Sequence, residues 1–327
     1  MTAILALATL AAGKGGPVVR TRTIESTRIV ALAAAPTGSR AVVCYEDGAV
    51  SIVDSATGKT VRRLGIHPQV AMAADWSDDG LYVATGDESG RVWIEDTRTG
   101  QKVREWRTHT RGVQKVSFDA TRQYVMSDGK DDFIRVYDVA SPKPKEIWTL
   151  AGEGANFYGA AFHPKNPSQF IVGILGPSSR VYDVRARKVV GFLTGNDSQG
   201  ALDTDYNEAG TRAASAGKDT TVAVYDAKTF KKLASLKGHE GSVTDVAFSP
   251  DGRFIASSSE DATVKLWNAR SFSKLDDFAE QDSVGSPVVF TGDSKYLLTV
   301  NAFGFLQIRE LTPGPKPVAP VKKKKRG

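Results

Sequence analysis

The chain has 327 residues, 41% of them hydrophobic and 24% charged, which supplies a sizeable core and argues against a disordered chain. Its net charge of +6 at pH 7 is local: five of the last six residues, Lys322 to Arg326, are cations, and the other 38 cations face 37 anions. A nearly neutral body gives no case for a nucleic-acid stripe on the folded domain, and a single cysteine, Cys44, excludes an internal disulfide.

In chain order, residues 1–16 come first. Ala3 to Ala12 is an apolar run too short to span a membrane. It resembles the apolar part of an export signal but lacks the preceding cations, so residues 1–16 read as an apolar leader or a flexible extension. Cytoplasmic residence is the expectation, with export through this segment as the alternative. Residues 17–25 follow, and Pro17 to Arg22 resembles KTVRRL at 59–64 one period later.

From there four runs recur. The first set is VALAAAPTG (30–38), RAVVCY (40–45), AVSIVD (49–54) and KTVRRL (59–64). Cys44 sits inside the second of these runs, as a small buried hydrophobe. AMAADWSDDG (71–80), LYVATG (81–86) and QKVREW (101–106) repeat the pattern, as do FIRVYD (133–138), TTVAVYD (220–226) and VTDVAFSPDG (243–252). Short β-rich runs bounded by Gly, Asp and Pro predict antiparallel strands, and no long window has a helical period.

Every third run ends on an acidic or amide residue: Asp54, Asp96, Asp138, Asp183, Asp226, Asn268 and Glu310. The gaps are 42, 42, 45, 43, 42 and 42 residues. Seven four-stranded units of this length predict an all-β, seven-bladed β-propeller. After Glu310 the chain is proline-rich and cannot supply a fourth strand, so residues 17–25 are expected to close the ring. The domain reading is an extension at 1–16, a propeller at 17–311, and a Pro-rich linker with a basic tail at 312–327. The tail is expected to be a solvated end making weak, salt-sensitive contacts with anions.

The sixth unit, GHEGSVTDVAFSPDGRFIASSSEDATVKLWN (238–268), resembles a WD repeat over its whole length. The resemblance implies a buried hydrogen-bonded tetrad at His239, Ser257, Asp261 and Trp267. The third unit keeps His109, Ser127 and Asp131, with Tyr137 for Trp. The fifth keeps Ser215, Asp219 and Tyr225, with Asn196 near the His position. The second keeps His67 and Thr85, with Ser89 in the Asp place and Glu95 in the Trp place. The first keeps only Asp47, beside Val43 and Val53. The turns at 54–64 and 96–106 also resemble those of quinoprotein-like propellers.

No HExxH, GxSxG, Cys/His metal spacing or GxxxxGK[ST] is present, so no catalytic residue, metal site or cofactor is assigned. The expected function is a non-catalytic, monomeric scaffold that binds a protein or peptide partner. An exported ligand-binding or quinoprotein-like propeller is the alternative. By resemblance, partners engage the face bearing the loops from fourth to first and from second to third strands. The candidate residues there are Arg111, Lys130, Phe157, Tyr158 and Lys218, with Phe303 in a corresponding loop.

Overall fold

A computed structural model describes residues 10–11, 16–24, 26–152, 157–176, 178–194, 199–279 and 287–312. Among these residues there is no helix. The strands form seven sheets, each antiparallel, and six of them have four strands in sequential order. The seventh sheet joins the two ends of the chain. Val18–Ile24 pairs with Leu306–Leu311, with Val18 opposite Leu311 and Ile24 opposite Leu306. The N-terminal strand is thus the fourth strand of blade 7, and the ring is closed.

Two details depart from the sequence reading. A two-residue strand, Leu10–Ala11, adds to the outside of the closing strand, opposite Thr21 and Arg20. An apolar stretch that reaches an unpaired edge satisfies its backbone groups there. The first strand of blade 7 is only Val289–Phe290.

Among the described residues there are seven buried apolar clusters, and each spans two neighbouring blades. The cluster of Tyr124, Met126 and Ile134 with Phe157, Phe162 and Phe170 joins blades 3 and 4. Ile29, Leu32 and Val43 meet Leu298, Leu306 and Ile308 across the seam of blades 7 and 1. No blade has a core of its own, which is why the unit repeats until it meets itself. Cys44 is fully buried in the cluster shared by blades 1 and 2, and burial raises its thiol pKa, which keeps it inert.

The periodic acidic residue has a local cause. Asp54 accepts the Thr57 N–H at 2.8 Å, Asp226 the Thr229 N–H at 2.7 Å, and Asn268 the Ser271 N–H at 2.8 Å. Each side chain closes the turn into its fourth strand, as short polar side chains do. Four residues after the marker the backbone turns left-handed, at Gly58 (φ 73°), Gly100 (φ 75°) and Phe230 (φ 60°). Blade 3 has Pro142 at that place, which cannot adopt this conformation, and its connection is longer.

Candidate functional site

The sixth unit contains a continuous hydrogen-bond chain. Trp267 Nε1–H donates to Ser257 Oγ at 2.9 Å, and Ser257 lies 2.8 Å from His239 Nε2. His239 Nδ1 lies 2.9 Å from Asp261. With the Nδ1–H tautomer every member has a donor or acceptor partner. Burial opposes ionisation of Asp261, but hydrogen bonds from Thr263, the Glu240 N–H and His239 outweigh it and hold the carboxyl below its usual range.

Blade 3 has the same core with a different end. His109 reaches Ser127 at 2.9 Å and Asp131 at 2.7 Å. Tyr137 turns its hydroxyl away, to Glu146 at 3.0 Å, and Thr108 lies 3.1 Å from Ser127 instead. In blade 5, Ser215 and the Tyr225 hydroxyl lie 3.3 Å apart, and Asp219 accepts from Thr221. Asn196 falls outside the described residues.

Blade 2 departs from the sequence assignment. His67 does contact Thr85, at 2.7 Å, but its carboxylate partner is Asp87 at 3.1 Å, not Ser89. Ser89 donates to Asp87 instead. Glu95 does not substitute for Trp: Trp93 stacks on His67 at 3.9 Å, while Glu95 is fully buried and accepts the Gly65 N–H. Its second oxygen has no partner, and burial pushes its pKa up to about 7. His163 is half-buried at the end of the first strand of blade 4 and bonds the Gly210 carbonyl at 3.0 Å, tying blade 4 to blade 5.

The candidate face is partly assembled. Lys130 and Lys218 occupy equivalent turns of blades 3 and 5, and their N–H groups donate to the Gly112 and Gly200 carbonyls. That bond brings Lys130 beside Arg111, which is exposed. Tyr158 is half-buried at the start of blade 4. Phe157 is not on this face: it is 4% exposed and packs in the core of blades 3 and 4, because strand alternation sends it opposite to Tyr158. Glu88 approaches Lys130 Nζ to 4.0 Å, so an acid stands beside the cations of this sector.

Sequence reasoning missed the charged lining of the ring's central channel. The first strands of all seven blades enclose a central space of about 330 Å³. Asp75, Asp203, Asp205 and Asp245 point into it, opposed by Lys115. Each carboxylate also accepts an N–H from the next blade: Phe118 at 2.7 Å, Val246 at 3.3 Å, Phe248 at 2.8 Å and Val288 at 3.0 Å respectively. Lys115 Nζ reaches Asp203 at 3.0 Å, from blade 3 to blade 5. Burial raises Asp75 and Asp205 to about 7, and it also raises Asp245. The available signal was a polar residue inside a first strand at a fixed repeat position: Lys115, Asp203 and Asp245 are equivalent.

Comparison with known proteins follows this geometry. Residues 100–138 and 230–268 match the family model of the WD domain, G-beta repeat. Both matches run from a fourth strand into the first three strands of the next blade. The chain is 23% identical over 194 residues to WD repeat-containing protein 1 of Rattus norvegicus, covering 57% of this chain and 31% of that protein. It is 25% identical over 210 residues to cleavage stimulation factor subunit 50 of Arabidopsis thaliana, covering 59% and 48%. It is 26% identical over 208 residues to WD repeat-containing protein VIP3 of the same plant, covering 56% and 62%. The chain therefore spans from about a third to under two thirds of these relatives. The β-propeller domain of Myceliophteria thermophila Cps50 (Swd1) superposes with a TM-score of 0.79 at 16% identity, covering 89% of this chain and all of that domain.

Proposed function

We propose that this seven-bladed propeller, which matches the WD repeat at residues 100–138 and 230–268, is a non-catalytic scaffold binding a protein or peptide partner on the face around Arg111, Lys130, Tyr158 and Lys218. The observation that carries this reading is the fate of the displaced titratable groups. Asp75, Asp205 and Asp245 take hydrogen bonds from neighbouring blades, and Glu95 holds Gly65. Their perturbed pKa values follow from structural burial, the alternative that has to be weighed whenever such groups suggest a functional site.

What remains for function is surface. Two lysines and an arginine on blades 3 and 5 favour an acidic segment, and Tyr158 of blade 4 between them offers an aromatic contact. The Glu88 contact tempers Lys130 and gives the sector a directional charge pattern. Lys130→Glu combined with Lys218→Glu is the test, after equal melting is established. Partner capture is expected to fall by about tenfold or more, chiefly through slower association and weaker salt dependence. Capture that survives this reversal and is lost on altering the turns around Asp78 and Asp251 would move the site to the other face.

A further inference from the structure

The seam between blades 7 and 1 contains a groove of about 850 Å³. Its walls include Ile24, Ile29, Tyr45, Val53 and Phe305, with Ile66 at the lip. The cause lies in the degraded tetrad. Val53 holds the repeat position of Trp267, and Val43 that of Ser257, so an indole and its hydrogen-bond partner are replaced by two small apolar groups. The volume that Trp267 fills in blade 6 is left open here.

Two further features mark the groove as a place where something docks. Ile66 and Phe303 are 70% and 75% exposed, the most exposed large apolar side chains among the described residues. Phe303 stacks on Phe305 at 6.1 Å, so the exposed patch runs into the groove. Contiguous apolar surface of this kind marks interaction sites. The groove also has polarity. Asp47 lies at one end with Glu46 beside it; both are exposed, and neither has an ion pair among the described residues. Lys59 lies at the other end. Ala49 pairs with Ile66 and Asp54 with Lys59, so the Ile66 lip and Lys59 are five strand positions apart, about 17 Å, with Asp47 in the turn two residues before Ala49 and Arg63, opposite Ser51, on the wall between.

We propose that this groove docks an extended segment of a partner protein, with two bulky apolar side chains two positions apart between a cation at the Asp47 end and an acid at the Lys59 end. An extended chain of six residues covers the span and turns alternate side chains into the groove. The proposal rests on the protein-binding reading above but uses a different surface from Arg111, Lys130 and Lys218.

The test uses the full chain and the fluorescein-labelled peptide Lys-Leu-Ser-Phe-Ser-Glu. Saturable binding is expected, about fivefold weaker for the charge-swapped Glu-Leu-Ser-Phe-Ser-Lys. Val53→Trp should fill the groove and weaken binding about tenfold; Ile66→Asp, on the exposed lip, should do the same and covers the case in which the first variant fails to fold. Equal binding of both peptides, or full binding by Ile66→Asp, overturns the proposal. A photo-reactive benzoylphenylalanine at position 66 identifies the occupant. An adduct with the peptide supports the proposal; an adduct with the chain's own first nine residues, or with a second copy, overturns it. The Lys130→Glu, Lys218→Glu variant should bind the peptide normally. Peptide binding lost there and kept in Ile66→Asp overturns the groove while leaving the scaffold reading intact.

Discussion

At the scale of single residues, the same repeat position is filled in ways that differ in free energy. Trp267 completes a hydrogen-bond chain and is 2% exposed, so Trp267→Ala should cost ~3–5 kcal/mol through the cavity it leaves. Asp261→Ala takes the carboxylate partner from His239 Nδ1 and should cost ~1–3 kcal/mol. Urea unfolding measures both, and unchanged midpoints would remove the structural role of the tetrad. Glu95 behaves in the opposite sense. Its folded pKa of about 7 exceeds that of an exposed glutamate near 4.3, so the native state binds the extra proton. Stability contributed by the neutral form is present at low pH and is lost as pH rises from about 4 through 7. Glu95→Gln keeps the shape without the charge. It should stabilise the protein by on the order of 2 kcal/mol at pH 8 and by almost nothing at pH 4. An equal shift at both pH values would place the effect in packing rather than ionisation.

At the scale of elements, the closing strand pairs residues near the two ends of the chain. Arg22, 8% exposed, makes it more than a sheet edge. Its guanidinium donates to the Ala56 and Ser55 carbonyls at 2.7 Å each, so blade 7 is pinned to the turn of blade 1. Arg22→Ala should cost about 1.5–3 kcal/mol, as loss of charged hydrogen bonds does, and should raise the unfolding rate seen by stopped-flow. An unchanged rate and midpoint would mean that pairing of Val18 to Ile24 alone closes the ring. This element was legible beforehand as a repeat of Lys59 to Leu64, though with the register two residues out: Arg22 and Thr23, opposite Ile308 and Gln307, stand where Arg62 and Arg63 stand opposite Ile52 and Ser51, the places the alignment gave to Arg20 and Thr21. The tetrad of blade 6 was legible for the same reason. Blade 2 was not: Asp87 and Trp93 each lie two positions from the repeat register, and a two-residue step keeps a strand side chain on its face, so the contact survives where the motif does not. Phe157 was misplaced because an aromatic in a loop-like stretch looks the same whether it faces solvent or core.

At the scale of the whole molecule, the ring is held at its axis by charge as well as by apolar packing. Asp75 links blade 2 to blade 3, Asp203 and Asp205 link blade 5 to blade 6, and Asp245 links blade 6 to blade 7. Lys115 is the cation among them, and it reaches past blade 4 from blade 3 to blade 5. Nearby Asp128 has no side-chain hydrogen-bond partner on either carboxyl oxygen, and burial raises its pKa. Lys115→Met removes the positive charge without removing the length of the side chain. Channel water reaches about a third of that side chain (37%), so the loss should be about 1–2 kcal/mol, less than for a dry pair. The deficit should be larger at pH 8 than at pH 5, because at the lower pH the crowded carboxylates take up protons and no longer repel. Adding Asp203→Asn to Lys115→Met should recover much of the stability at pH 8. A double variant as weak as Lys115→Met alone would show that Lys115 acts by packing against blade 4 and not by balancing the charge of the channel.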